Sequence, residues 1–167
     1  METKRRAAKD LGISIEPADP VALQAVCSLL ERSNLPTEGL AEHFATALVA
    51  KIGERIVGSA ALELHGTSAL LRSVAVEEPF RRQGIGRRLT YAALDLAKRT
   101  RVGAVYLLTT TAEEFFAELG FRRIPRSEVP EPVQQSVEFA SACPVTATVM
   151  MISLTDAGRE ARPSICY

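Results

Sequence analysis

Arg81-Arg82-Gln83-Gly84-Ile85-Gly86 lies between a β-rich run, Leu70 to Val76, and an amphipathic stretch carrying Ile85, Leu89, Ala92, Ala93 and Leu96 at helical spacing. The first N–H groups of a helix have no carbonyl partners inside it, and glycine lacks the Cβ that would hold an anion off the backbone. Arg81, Arg82, Arg87 and Arg88 crowd this same end, where the positive pole of the helix dipole disfavours cations. A bound polyanion resolves that conflict, whereas a bare glycine pair would be no more than a solvated basic turn. Two common phosphate loops do not fit. A dinucleotide fingerprint needs a third glycine where Leu89 stands, and a nucleotide P-loop needs a Gly-Lys-Ser/Thr string that the chain lacks.

The chain has 167 residues, a length that suits one domain with a core of its own. Apolar residues at 47% and charged residues at 24% give a globular rather than a disordered profile. Lys plus Arg and Asp plus Glu number 20 each, so no overall field draws the protein to nucleic acid or to an anionic membrane, and neither partner is expected. No run reaches the apolar length of a membrane span, and the basic stretch Lys4 to Lys9 lacks the apolar core of a secretion signal. Cytoplasmic location is expected, and a homodimer stays open. The 3 cysteines cannot all pair within one chain. Cys27 shares an apolar helix face with Leu23, Val26 and Leu30, as a packed thiol would; Cys143 and Cys166 lie in less regular sequence.

Periodicity predicts a short strand at Ile13–Glu16 and a helix over 21–31 with Asp19 as N-cap. A second short helix follows from Thr37 to Phe44, and then an antiparallel meander at 47–51, 55–64 and 69–76. The loop helix runs to about Arg99, a strand follows over 102–109, a helix over 112–119 ending at Gly120, and a last β-rich run over 145–154, with a further helix near 133–139. The class is mixed α/β on a mixed sheet, in the order β-α-α-β-β-β-α-β-α-β. Residues 1–11 are expected to be a flexible leader, 12–154 the domain and 155–167 a mobile tail.

Arg-x-x-Gly-x-Gly between strand and helix resembles the pyrophosphate loop of the GCN5-related N-acetyltransferases (GNAT). The order of elements resembles that fold along roughly residues 12 to 154. The resemblance implies a GNAT-type enzyme that moves acetyl from acetyl-CoA to a primary amine of a small molecule without a metal. It implies that strands 70–76 and 102–109 splay, with backbone groups of Val74, Ala75 and Val76 holding pantetheine and polarising the thioester. Amides and side chains of Arg81, Arg82, Gln83, Gly84, Ile85, Gly86 and Arg87 would take the phosphates, and Phe116 would line the thioester pocket.

The chain departs from its relatives in its proton chemistry. Many carry a glutamate on the strand matching Leu70–Val76 and a tyrosine four residues before the glycine ending the helix near the thiol; here the strand reads Leu70-Leu71-Arg72-Ser73 and the helix has Phe116. Glu63, His65 and His43 are the remaining candidates for a base, each with a surface role as the plainer alternative.

Leu35-Pro36-Thr37-Glu38-Gly39-Leu40, Ala69 to Val76, Tyr106 to Glu113, and Glu138-Phe139 followed by Cys143-Pro144 are similar to strings of the arsenic-resistance N-acetyltransferases. That likeness implies an amine-bearing organoarsenical as acceptor, either an arsenic amino acid or an aminoaryl arsonate, in arsenic detoxification. Arg72, Ser73, Thr109 and Thr110 are of types that hold a tetrahedral oxyanion. Arg72 also supplies a physical motive, since a cation on a buried strand is costly without an anion; that anion is either a substrate group or a distant carboxylate, Glu42, Glu63 or Glu138. Arg122, Arg123 and Arg126 read better as a solvated basic edge. The other classes are an acetyltransferase for a phosphinothricin-like amino acid, a cysteine-based arsenic(III)-binding protein and a CoA-binding regulatory module.

Overall fold

The computed structural model describes residues 12–142 and 144–154. The expected leader, the expected tail, Cys143 and Cys166 lie outside the described residues.

Strand β1 (Ile13–Pro17) leads to a turn in which the Asp19 carboxylate accepts the Val21 N–H at 3.0 Å. The cap falls where the sequence places it, but it opens a short 3-10 turn, Pro20–Ala22, before helix α1 (Leu23–Arg32) begins. The expected second helix is corrected: residues 34–40 are irregular and a 3-10 turn, Ala41–Thr46, takes its place. Pro36 and Gly39 interrupt any longer helical ladder.

Strands β2 (Ala47–Ile52), β3 (Arg55–His65) and β4 (Ser68–Val76) form the antiparallel meander. Helix α2 (Ile85–Arg99), strand β5 (Ala104–Thr109), helix α3 (Glu113–Glu118), the two-residue strand β6 (Arg122–Arg123), helix α4 (Glu131–Gln134) and strand β7 (Thr148–Ser153) follow. The expected helix near 133–139 breaks in two: α4 ends at Gln134, and a π-type turn covers Glu138–Ala142. β6 is too short to leave a periodic signal.

Among the described residues, seven strands make one sheet in the order β1-β2-β3-β4-β5-β7-β6, in which only the β4–β5 pair is parallel. Helix α2 covers one face through Ile85, Leu89, Ala93 and Ala97, all at most 1% exposed, against Leu62, Leu71 and Val105. Helix α1 covers part of the other face with Val26, Leu29 and Leu30, beside Val49 and Ala61. The 124–139 segment covers the rest of that face, where Ile124, Val133 and Phe139 pack on Leu70 and Tyr106. Each such large aliphatic side chain contributes about 1.5–3 kcal/mol on burial.

Two features of β4 shape the site. Its parallel register with β5 stops at Leu70 opposite Tyr106, so beyond that pair the strands diverge. Across the other edge, Ser59 faces Ala75 whereas Ala61 faces Arg72, so β4 carries one extra residue. Ser73 lies in this bulge at φ 58°, a left-handed conformation uncommon for a non-glycine residue. The Ser59 hydroxyl donates to the Ser73 carbonyl at 2.7 Å inside the core and holds the distortion in place.

Candidate active site

The diverging strands leave a cleft of about 630 Å³ whose walls are residues 71–76 of β4 and residues 107–112, which span the end of β5 and the turn after it. Phe116, Glu138, Pro144, Ala147 and residues of the Ser33–Glu38 loop complete its lining. A second hollow of about 330 Å³ shares Val74, Ala75, Val76 and Arg81 with it and continues over Arg82, Gly84, Ile85, Gly86, Arg87 and Phe115. Of the residues expected to take pantetheine and phosphates, Val74, Ala75, Val76, Arg81, Arg82, Gly84, Ile85, Gly86 and Arg87 line these adjoining hollows, whereas Gln83 lines neither and turns its side chain to the Pro79 carbonyl at 3.5 Å.

The groove has the donors an anion needs. Intrahelical bonding in α2 starts with Arg88 N–H to the Gly84 carbonyl at 3.1 Å, so the amides of Ile85, Gly86 and Arg87 precede the ladder. Gly84 adopts φ +81°, and a Cβ there would meet nothing within 4 Å, so the space beside the amides is open. Gly86, which also lines the hollow, has a packing reason to lack a side chain as well, because a Cβ there would lie 3.3 Å from the Phe115 ring. Its small size lets α3 seat against the loop.

The arginines divide. Arg81 Nε donates to the Val76 carbonyl at 2.8 Å and closes the end of β4, which occupies one lone pair of a carbonyl expected to face the cofactor. Arg88 reaches the Ile13 carbonyl at 3.1 Å, and Arg87 lies over Tyr91. Arg82, at φ 63°, makes no hydrogen bond or ion pair among the described residues. Phe116 is buried against Phe121 and Phe115 and still lines the cleft.

Arg72 needs a correction. Its side chain is fully buried, and protein groups already surround the guanidinium: Glu63 at 2.7 Å from Nη1, Glu138 at 2.8 Å and the Ser73 hydroxyl at 3.2 Å from Nε, and the Glu38 carbonyl at 2.7 Å from Nη2. The motive for an external oxyanion at Arg72 is gone, because the distant carboxylates supply the anions. Thr109 is also engaged, its hydroxyl accepting the Ala112 N–H at 3.0 Å, while Thr110 and Ser73 line the cleft. Arg122 and Arg123 are exposed, as a solvated edge requires, whereas Arg126 stacks 4.6 Å from the centre of the Phe139 ring.

The three candidate bases meet, but behind the cleft wall. His65 Nε2 lies 3.1 Å and His43 Nε2 3.9 Å from the Glu63 carboxylate, with the imidazole centroids 5.9 Å apart. Glu63 is 1% exposed, and none of the three lines the cleft. Burial pushes the Glu63 carboxyl up, but Ser136, Arg72 and His65 outweigh it and hold the group below its ordinary value. An ionised Glu63 thus serves Arg72. Burial, then the charge of Glu31, raise the Cys27 thiol, against a smaller opposing pull from Arg72. It is a packed side chain, not an activated nucleophile.

Glu138 has a larger part than its place in the sequence suggests. It is 5% exposed and lines the cleft while holding the guanidinium that also bonds Ser73. Its loop has no periodicity to place it.

Residues 43–123 match the family described as "Acetyltransferase (GNAT) domain". Over 106 residues, 63% of this chain, the sequence is 31% identical to an uncharacterised N-acetyltransferase of Chlorobaculum tepidum, and that match spans 66% of the relative's length, just under two thirds. Among solved structures, a Mycobacterium tuberculosis protein in complex with CoA aligns over 84% of this chain and 99% of its own at a TM-score of 0.72 and 22% identity. N-acetylglutamate synthase from Neisseria gonorrhoeae, complexed with coenzyme A and L-arginine, aligns over 86% of this chain and 33% of its own at 0.73 and 22%. These structural likenesses are likenesses of fold.

Proposed function

This chain carries an acetyltransferase (GNAT) domain, and we propose that it transfers acetyl from acetyl-CoA to a primary amine of a small molecule. One observation carries the reading: the cleft between β4 and β5 and the hollow over the Gly84–Arg87 amides form a single groove. It leads from an anion site at a helix start to the bulge at Ser73. When bound, acetyl-CoA supplies the acetyl group as an activated thioester.

The amides of Ile85, Gly86 and Arg87, with Arg82, hold the pyrophosphate, and the edge of β4 at Val74 to Val76 holds the pantetheine arm by strand-like pairing. Phe116 and Leu107 keep water from the thioester end of the cleft. The amine enters past the Ser33–Glu38 loop and needs a group that takes its proton before attack.

The narrower reading, an organoarsenical amine in arsenic detoxification, is supported by the similarity of four strings to one subgroup, and Thr110 and Ser73 remain the hydroxyls on the cleft wall for an oxyanion. A phosphinothricin-like amino acid is the alternative acceptor.

Calorimetric titration with acetyl-CoA tests the binding site. Gly84→Asp suits the left-handed backbone better than most substitutions do and sets a carboxylate beside the free amides. Affinity should fall by roughly tenfold or more, about 1.4 kcal/mol. Unchanged affinity in a variant whose circular dichroism matches the parent would remove the loop from the site.

A further inference from the structure

We propose that Glu138 is the residue that receives the acceptor amine, taking the ammonium proton at the β4 bulge. This inference rests on the acetyl-transfer reading above and names the chemistry at the same cleft. Every candidate base recognised from the sequence lies behind the wall. Glu63 is buried, His65 and His43 are half-buried beside it, and the guanidinium of Arg72, which holds Glu63 from the cleft wall, does not give up its proton. None of the three lines the cleft.

Glu138 does, and its carboxylate is held by Arg72 Nε, the same donor that bonds the Ser73 hydroxyl in the bulge. Glu38, the other acidic residue on the cleft wall, is exposed and meets Arg72 through its backbone carbonyl. Position and burial single out Glu138.

The groups facing it from the packed elements are Arg72 on β4, Glu63 behind that on β3, His65 and His43 beyond Glu63, Cys27 on α1 near Arg72, and Arg126 stacked on the adjacent Phe139. Arg72 is thus a positioning residue that holds and aims the carboxylate. Glu63 positions Arg72 in turn.

The step balances without any further reactant. The ammonium gives one proton to Glu138, the free amine forms the N–C bond as the C–S bond breaks, a second nitrogen proton leaves with the sulfur as free thiol, and Glu138 returns its proton to water.

The experiment follows thiol release by the full chain with acetyl-CoA and aliphatic primary amines, spermidine and tyramine among them, from pH 6 to 10. Glu138→Gln should lower kcat/KM on the order of a hundredfold at pH 7. The deficit should shrink as the pH approaches the amine's own pKa, because solution then supplies the free amine. Glu138→Asp keeps the carboxylate, should recover part of the rate, and is the variant to read if the Gln form does not fold. Acetyl-CoA affinity should stay unchanged in both. An active wild type matched by Glu138→Gln, or a deficit constant across pH, overturns the assignment of Glu138 alone. A wild type that binds acetyl-CoA yet releases no thiol with any amine overturns the transfer reading, and this role with it.

Discussion

A guanidinium taken out of water is held by whatever anions the fold brings to it, and at Arg72 these are Glu63 and Glu138. The cost of burying that cation was legible from the sequence, since Arg72 stands in an otherwise apolar strand. Its partners were not. Glu63 arrives across the β3–β4 hairpin by a register that a bulge shifts, and Glu138 comes from a loop. Glu63 also sets a pH dependence. Its folded pKa is depressed below 4.5, so its contribution to stability is present above that value and is lost as pH falls through the folded pKa. Glu63→Gln does not titrate. Denaturant unfolding at a series of pH values should therefore show the variant less stable near pH 7, with the difference narrowing below about pH 4.5. A difference that is constant or grows in acid would contradict an ionised Glu63 beneath Arg72.

Period and punctuation made the long elements readable. Ile85, Leu89 and Ala93 announce α2, and the alternating runs announce β2, β3 and β4. The bulge left no such mark, because the apolar run from Ala69 to Val76 reads as an unbroken core strand whether or not one residue is extra. The groove over Gly84 was legible for a local reason, as its strand, loop and helix are contiguous in the chain. The rest of the cleft was not, being assembled from the 33–38 and 107–112 segments with Glu138, Pro144 and Ala147. Ser73 tests the bulge. A β-branched side chain is strained at φ 58°, so Ser73→Val should cost about 1–3 kcal/mol in chemical unfolding and weaken acetyl-CoA binding through the displaced β4 edge. Ser73→Gly should leave stability nearly unchanged. Equal stability of all three proteins would mean that the backbone at this point is relaxed.

Across the whole molecule, one sheet does two jobs. Helix α2 packs its apolar face on β2, β3 and β4 while its first turn offers unbonded amides to the groove. Termination of β4–β5 pairing at Leu70 opens the cleft without exposing the core behind it, which Leu62, Leu71 and Val105 fill. Among the described residues no helix is long and apolar enough to cross a membrane. The central claim is direct acetyl transfer in this groove. The measurement that bears on it most directly is mass spectrometry of both protein and small molecules after incubation with acetyl-CoA and a panel of primary amines, aliphatic amines, phosphinothricin-like amino acids and aminoaryl arsonates included. The account predicts one N-acetylated amine formed per CoA thiol released, with no acetyl group left on the protein, since Cys27 is packed and its thiol raised. Acetyl trapped on a cysteine, or tight acetyl-CoA binding with no acetylated amine across the panel, would contradict it.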